Sequence, residues 1–111
     1  MKHFKTKEMG KFLVDQNIHK EYYFVLKAAN GQVILESDGY SSLAALYNGI
    51  GSVRKNSQDD GKFKRTQGAD SKHRFRLHAA NGQVIGISQS YASEAGMENG
   101  VESVKTNAQR S

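Results

Sequence analysis

At 111 residues, with 37% hydrophobic and 24% charged residues, the chain has the size of one soluble domain or of two half-domains sharing a core. It has no cysteine, which excludes disulfides and thiolate metal sites, and no proline, which leaves its turns to Gly and Asn. No apolar run approaches the roughly 20 residues of a membrane helix, while a net charge of +5 admits an acidic partner.

Residues 1–9 hold three lysines and one acid, with no apolar stretch behind them. They read as a flexible charged head rather than a secretory signal, and a cysteine-free chain suits the cytoplasm. From Gly10 onward the chain says one thing twice. The segment FVLKAANGQVILES at 24–37 returns as FRLHAANGQVIGIS at 75–88, with a constant offset of 51 residues. The expected organisation is the head, a first unit at 10–60 and a second at 61–111, the two units sharing one core as a single domain. A unit of that size buries too little apolar surface to be comfortable alone.

In chain order, each unit opens with a strand, at 11–15 and 62–66, anchored by Phe12 and Phe63. Polar connections follow at 16–21 and 67–72. Next comes a hairpin closed on Asn30-Gly31, and again on Asn81-Gly82, a pair that favours a type I′ turn. Two-residue closure pairs Leu26 with Leu35 and Phe24 with Ser37 on one face, and Lys27 with Ile34 and Val25 with Glu36 on the other. Phe24, Leu26 and Ala28 recur unchanged as Phe75, Leu77 and Ala79, whereas Tyr23, Val25 and Lys27 become Arg74, Arg76 and His78. The unchanged set is the expected core face. The reverse face is expected to show Tyr23, Val25, Ile34, Arg74, Arg76, Ile85 and Ile87.

Ser42 and Ser93 stand as N-caps before helices in which Leu46, Ile50 and Val53, then Met97, Val101 and Val104, follow helical spacing. Asn56 and Asn107 are the expected C-terminal stops. An Asn-Gly pair inside each helix runs against propensity. Gly49 and Gly100 lie on the apolar stripe, so close packing of helix on sheet is their expected role. The fold class that follows is α+β: a β-β-β-α unit used twice, giving one mainly antiparallel sheet of about six strands with two helices on one face.

Chemistry is harder to find. His3, His19, His73 and His78 share no metal-ligand spacing, and no cofactor motif is present, so neither metal nor cofactor is expected. Ser37, Ser42 and Ser52 recur as Ser88, Ser93 and Ser103 without a repeated general base, which favours capping and turn duties over catalysis. The repeated polar residues that remain are Tyr40 and Tyr91, just before the caps, and Asn48 and Asn99 inside the helices. Packing lids and strand hydrogen bonds account for them. A site between the units would also use them.

Charge offers a second candidate. Basic residues outnumber acids eight to four over 61–111, against five to six over 10–60. Arg74 and Arg76 share a strand face that could meet phosphate. The reading that follows is a non-enzymatic binding or interaction module. A site between the units is the alternative, and weak nucleic-acid binding through the second unit is a further one. Self-association through isoleucines on an open sheet belongs to the first reading. No membrane partner is expected.

The Ala-Ala-Asn-Gly-Gln-Val-Ile hairpin, the tyrosine before the serine cap and the Asn-Gly helix recur in one order and spacing. In these the chain resembles the YegP-like family of small bacterial proteins. The resemblance implies a β-β-β-α unit used twice, one antiparallel sheet covered by helices, and exchange of end elements between units. It implies no activity and no site residue.

Overall fold

In the computed structural model, residues 11–109 are described; the head expected at 1–9 lies outside them. Strands β1 (Lys11–Gln16), β2 (Tyr22–Lys27) and β3 (Val33–Glu36) precede helix α1 (Leu43–Asn56). A single 3₁₀ turn, Asp60–Lys62, leads into β4 (Phe63–Gln67), β5 (His73–His78), β6 (Val84–Ile87) and helix α2 (Glu94–Gln109). The six strands form one antiparallel sheet in the order β1-β2-β3-β6-β5-β4, with the two copies meeting at β3 and β6. The class is α+β, as the doubled pattern predicts.

Period-two burial works as the sequence implies. Phe24 and Leu26, like Phe75 and Leu77, are fully buried. They join Leu46, Val53, Met97, Val101 and Val104 from the helices in a single cluster drawn from both copies. Burying a side chain of this kind contributes about 1.5–3 kcal/mol. On the opposite face one register line crosses the whole sheet, Leu13–Val25–Glu36–Ile87–Arg76–Lys64.

The hairpin turn is not type I′. That turn needs positive φ at both central residues, yet only Gly31 (φ 88°) and Gly82 (φ 87°) have it, not Asn30 or Asn81. Asn30 instead accepts a hydrogen bond on Oδ1 from the Gln32 N–H at 3.0 Å, and Asn81 does the same for Gln83 at 2.9 Å. The loop is thereby one residue longer than expected, and Lys27 pairs with Val33 rather than Ile34. A bulge between Leu26 and Lys27 then restores the expected partners Leu26–Leu35 and Val25–Glu36.

That bulge overturns one expectation. Ile34 and Ile85 are not on the reverse face: they are 4% and 7% exposed and belong to the core. The extra residue breaks strict alternation, so Ile34 and Leu35 are buried in succession. Ile87, 40% exposed, does lie on the open face as expected.

At the junction of the copies, symmetry sets a packing problem. Leu35 and Gly86 occupy equivalent positions, 51 residues apart. A Cβ on Gly86 would lie 2.6 Å from Cγ of the fully buried Leu35. Two leucines cannot share this space, and the glycine resolves the conflict. The helix ends are tied across the junction as well. Gln58 Nε2 donates to the Lys105 carbonyl at 3.4 Å, and its counterpart Gln109 donates to the Arg54 carbonyl at 2.7 Å. Each copy thus reaches a backbone carbonyl of the other copy's helix, and at Arg54 the glutamine shares the carbonyl with the Ser57 hydroxyl. Helix α1 also packs on β5 and β6, and α2 on β1, β2 and β3.

Ser42 caps α1 by accepting from the Ala45 N–H at 3.1 Å, and Ser93 accepts from the Gly96 N–H at 3.0 Å. Helix α1 ends at Asn56 as expected, but α2 runs past Asn107 to Gln109. Asn107 donates to the Ser103 carbonyl and hydroxyl, as Asn56 does to Ser52.

Two tests follow. Gly86→Leu is expected to destabilise by about 1–3 kcal/mol through overpacking, and adding Leu35→Gly should restore much of the loss, as thermal melts of the single and double variants would read. The second concerns Asp60, which bonds both Arg65 (2.9 Å) and Lys105 (3.0 Å). Hydrogen bonds from Arg65 and then Lys105 lower its pKa from 3.8 to about 2. The folded carboxyl is therefore the harder to protonate. Its contribution is complete above pH 3.8 and is lost as pH falls towards 2. The melting-temperature gap between wild type and Asp60→Asn should close over that window. The gap should be small, because the pair is exposed.

Candidate functional site

Each copy builds an aromatic stack under its helix. Phe12 meets Phe24 edge-on, with centroids 5.6 Å apart, and Tyr40 stacks on Phe24 at 6.3 Å. Phe63, Phe75 and Tyr91 repeat the arrangement at 5.6 Å and 6.4 Å. Arg54 and Lys105, from the helix ends, lie over the Phe12 and Phe63 rings at 5.3 Å and 5.9 Å. The tyrosine backbones are fixed by paired hydrogen bonds: Tyr40 exchanges two with Tyr22, and Tyr91 two with His73.

The two helix glycines now acquire a cause. A Cβ on Gly49 would collide with the Tyr40 hydroxyl, and one on Gly100 with that of Tyr91. Close packing was expected against the sheet; the element that comes closest is the tyrosine of the strand-to-helix link. Burial raises the pKa of both hydroxyls, with the negative charge of Asp38 adding to the shift at Tyr40. The repeated buried serines have a backbone duty. Ser37 Oγ accepts from the Phe24 N–H and donates to the Asp38 carbonyl, and Ser88 does likewise with Phe75 and Gln89.

Tyr40, Tyr91, Asn48 and Asn99 do not gather into one site: each tyrosine stacks within its own copy. Asn48 and Asn99 are exposed, and neither bonds a strand. Tyr91 and Asn99 do line one groove of about 340 Å³, together with Gly96, Gly100 and Ser103. Its other wall is Ala28, Asn30, Gln32 and Ile34 from the first hairpin. The expected site between the units had no assigned walls, and the hairpin of one copy meeting the helix of the other supplies them. The signal that was available is identity between copies. Moved by 51 residues, eight of the nine lining positions keep their residue; only Gly96 differs, from Ala45. Fewer than half of all positions do so across the two copies.

The open sheet face differs more between copies, although Lys11 and Val33, in register with Lys27, recur as Lys62 and Val84. Leu13, Asp15, Tyr23, Val25, Lys27 and Glu36 are all replaced in the second copy, by Lys64, Thr66, Arg74, Arg76, His78 and Ile87. Arg74 pairs with Asp70 at 2.7 Å on the surface. Arg76 is exposed and lies opposite Lys64 in register. Arg65, by contrast, is tied to Glu98 at 2.7 Å. Among the described residues, no three His, Cys, Asp or Glu side chains converge, and no helix is long and apolar enough to cross a membrane.

The family model described as a domain of unknown function, DUF1508, matches residues 19–63 and again 69–111. The chain belongs to the DUF1508 family. A UPF0339 protein of Acinetobacter baylyi is 49% identical over 98 residues, 88% of each chain. The UPF0339 protein YegP of Escherichia coli K12 is 41% identical over 98 residues, 88% of this chain and 89% of its own. The solution NMR structure of yegP from E. coli, described as a protein of unknown function, superposes with a TM-score of 0.85 at 40% identity. It covers 90% of this chain and 86% of its own. A UPF0339 protein from Shewanella oneidensis gives 0.82 at 40% identity, covering 86% and 81%. The YegP-like resemblance read from the hairpin, tyrosine and helix therefore identifies the family. Each DUF1508 match in this chain holds one hairpin, one stacked tyrosine and one Asn-Gly helix.

The stacked pair of tyrosine and glycine is testable. Gly49→Val or Gly100→Val should cost about 1–3 kcal/mol through overpacking. Combining Gly49→Val with Tyr40→Ala should cost less than the two changes added together. Denaturant unfolding of the four-member cycle reads the coupling.

Proposed function

We propose that this DUF1508 chain is a non-catalytic binding module of the cytoplasm. Its site is the groove between the hairpin of the first copy and the helix of the second. The observation that carries the reading is the identity of groove residues between copies, above all at side chains the fold does not use. Asn48 and Asn99 are exposed helix residues, and Gln32 and Gln83 are exposed hairpin residues. None of these four side chains bonds another described residue. Packing explains why Phe24 and Phe75 are the same; it does not explain these. Because the groove takes one wall from each copy, units 10–60 and 61–111 act as one domain in this reading.

A second reading rests on a different observation, the Arg76–Lys64 pair beside the 40% exposed Ile87 on the uncovered sheet face. Two adjacent cations and an apolar side chain suit an acidic protein surface. They suit nucleic acid less well. Tyr23, an aromatic on that face, belongs to the other copy and pairs with Asp15. Stacking and phosphate contact would fall on separate patches.

Capture from native lysate, with nuclease controls, separates the readings. A species held by the wild type should be lost from Asn48→Leu/Asn99→Leu and kept by Lys64→Glu/Arg76→Glu. The opposite pattern would assign the partner to the sheet face and end the groove proposal.

A further inference from the structure

The groove chemistry narrows its ligand, an inference that rests on the groove being the site. None of the nine lining residues carries a charge. An ion entering would lose water and find no counter-charge, so an uncharged ligand is favoured. The uncommitted polar groups on the walls, among the described residues, include the Gln32 amide, the Asn99 amide and the Tyr91 hydroxyl, besides the Asn30 amide nitrogen. Others are already engaged, since Asn30 Oδ1 accepts from Gln32 N and Ser103 Oγ from Asn107 Nδ2. Each free amide offers a donor and an acceptor side by side. That pattern is matched by a partner with the same pair on one edge, as when Asn or Gln bonds a base edge with two hydrogen bonds. Ala28 and Ile34 add apolar wall, against which the face of a planar group can lie. A volume of about 340 Å³ falls in the range of small-molecule sites.

We propose that the groove binds an uncharged, planar small molecule with an amide-like edge, one N–H beside one acceptor. Nucleobases and capped peptides share that edge. The amides of Gln32 and Asn99 hold it from the two copies, and the Tyr91 hydroxyl supplies a third hydrogen bond. The counterpart residues Gln83, Asn48 and Tyr40 are identical, so a symmetric site in this proposal would offer the same groups.

The test is titration of the ¹⁵N-labelled full chain, followed by amide NMR, with four probes. Uridine and N-acetylalanine methylamide carry the edge. Uridine monophosphate adds charge, and trehalose offers hydroxyls alone. Uridine or the capped alanine should shift amides at 28–34 and 96–103, or at their counterparts, saturably and at millimolar concentration. Whichever binds more tightly identifies the source of the edge. The monophosphate should bind no better than uridine. Asn48→Leu/Asn99→Leu should weaken binding about tenfold, the loss of one neutral hydrogen bond per site. These exposed helix positions should tolerate Leu, which has the higher helix propensity. Gln32→Leu/Gln83→Leu, in the hairpins, should weaken it equally. No shift with either edge-bearing probe overturns the ligand class. So does tighter binding of trehalose or the monophosphate in the groove, an outcome that leaves the groove itself standing as the site. Saturable shifts confined to the open sheet face overturn both.

Discussion

Two copies of one unit meet along β3 and β6, and a residue near the axis between them must share its space with its own counterpart. Leu35 and Gly86 are that pair. An interior packed as densely as a crystal of small molecules has no room for two leucines there. The strand pairing at Glu36–Ile87 and the common core both depend on this one large and one small side chain. The crossed glutamines at the helix ends, Gln58 and Gln109, tie the same junction from the helix layer.

Duplication within one chain frees the copies to diverge, and the two faces of the sheet have diverged differently. Beneath the helices, the stacks of Phe12, Phe24 and Tyr40 and of Phe63, Phe75 and Tyr91 differ by only about 0.1 Å in centroid spacing. Each ends on a glycine that gives the tyrosine room. A ring flush against a helix backbone tolerates no Cβ, so tyrosine and glycine hold together as a pair. The open face carries less of that demand: Leu13, Asp15, Tyr23, Val25, Lys27 and Glu36 all differ between copies, while Lys11 and Val33 recur.

The same contrast separates structure from binding. Identical residues in the core are explained by packing, and Asn30 and Asn81 by the turn that they hydrogen-bond. Gln32, Gln83, Asn48 and Asn99 have no such account within the fold. The groove gives the Gln32 and Asn99 side chains a common location, on walls contributed by different copies. The basic charge of the second unit is by comparison partly spent on the fold: Arg74 on Asp70, Arg65 on Glu98 and Asp60, and Lys105 on Asp60 and Glu102.

Much of the architecture was determined by sequence alone. The offset of 51 residues implies two β-β-β-α units, alternation at Phe24 and Leu26 implies the covered face, and Ser42 and Ser93 mark the helix starts. These are local properties, because propensity, alternation and capping act over a few residues. The tertiary structure decided the rest. One extra residue in the hairpin loop and a compensating bulge turned Ile34 and Ile85 inward, a change that strict alternation cannot express. The cause of Gly49, Gly86 and Gly100 is a neighbour far along the chain or across the junction. The groove exists only because α2 lies over the first hairpin as well as over its own strands. No local pattern encodes which copy's helix covers which copy's hairpin, since both copies carry nearly the same residues; the packing of the two units against each other settles it.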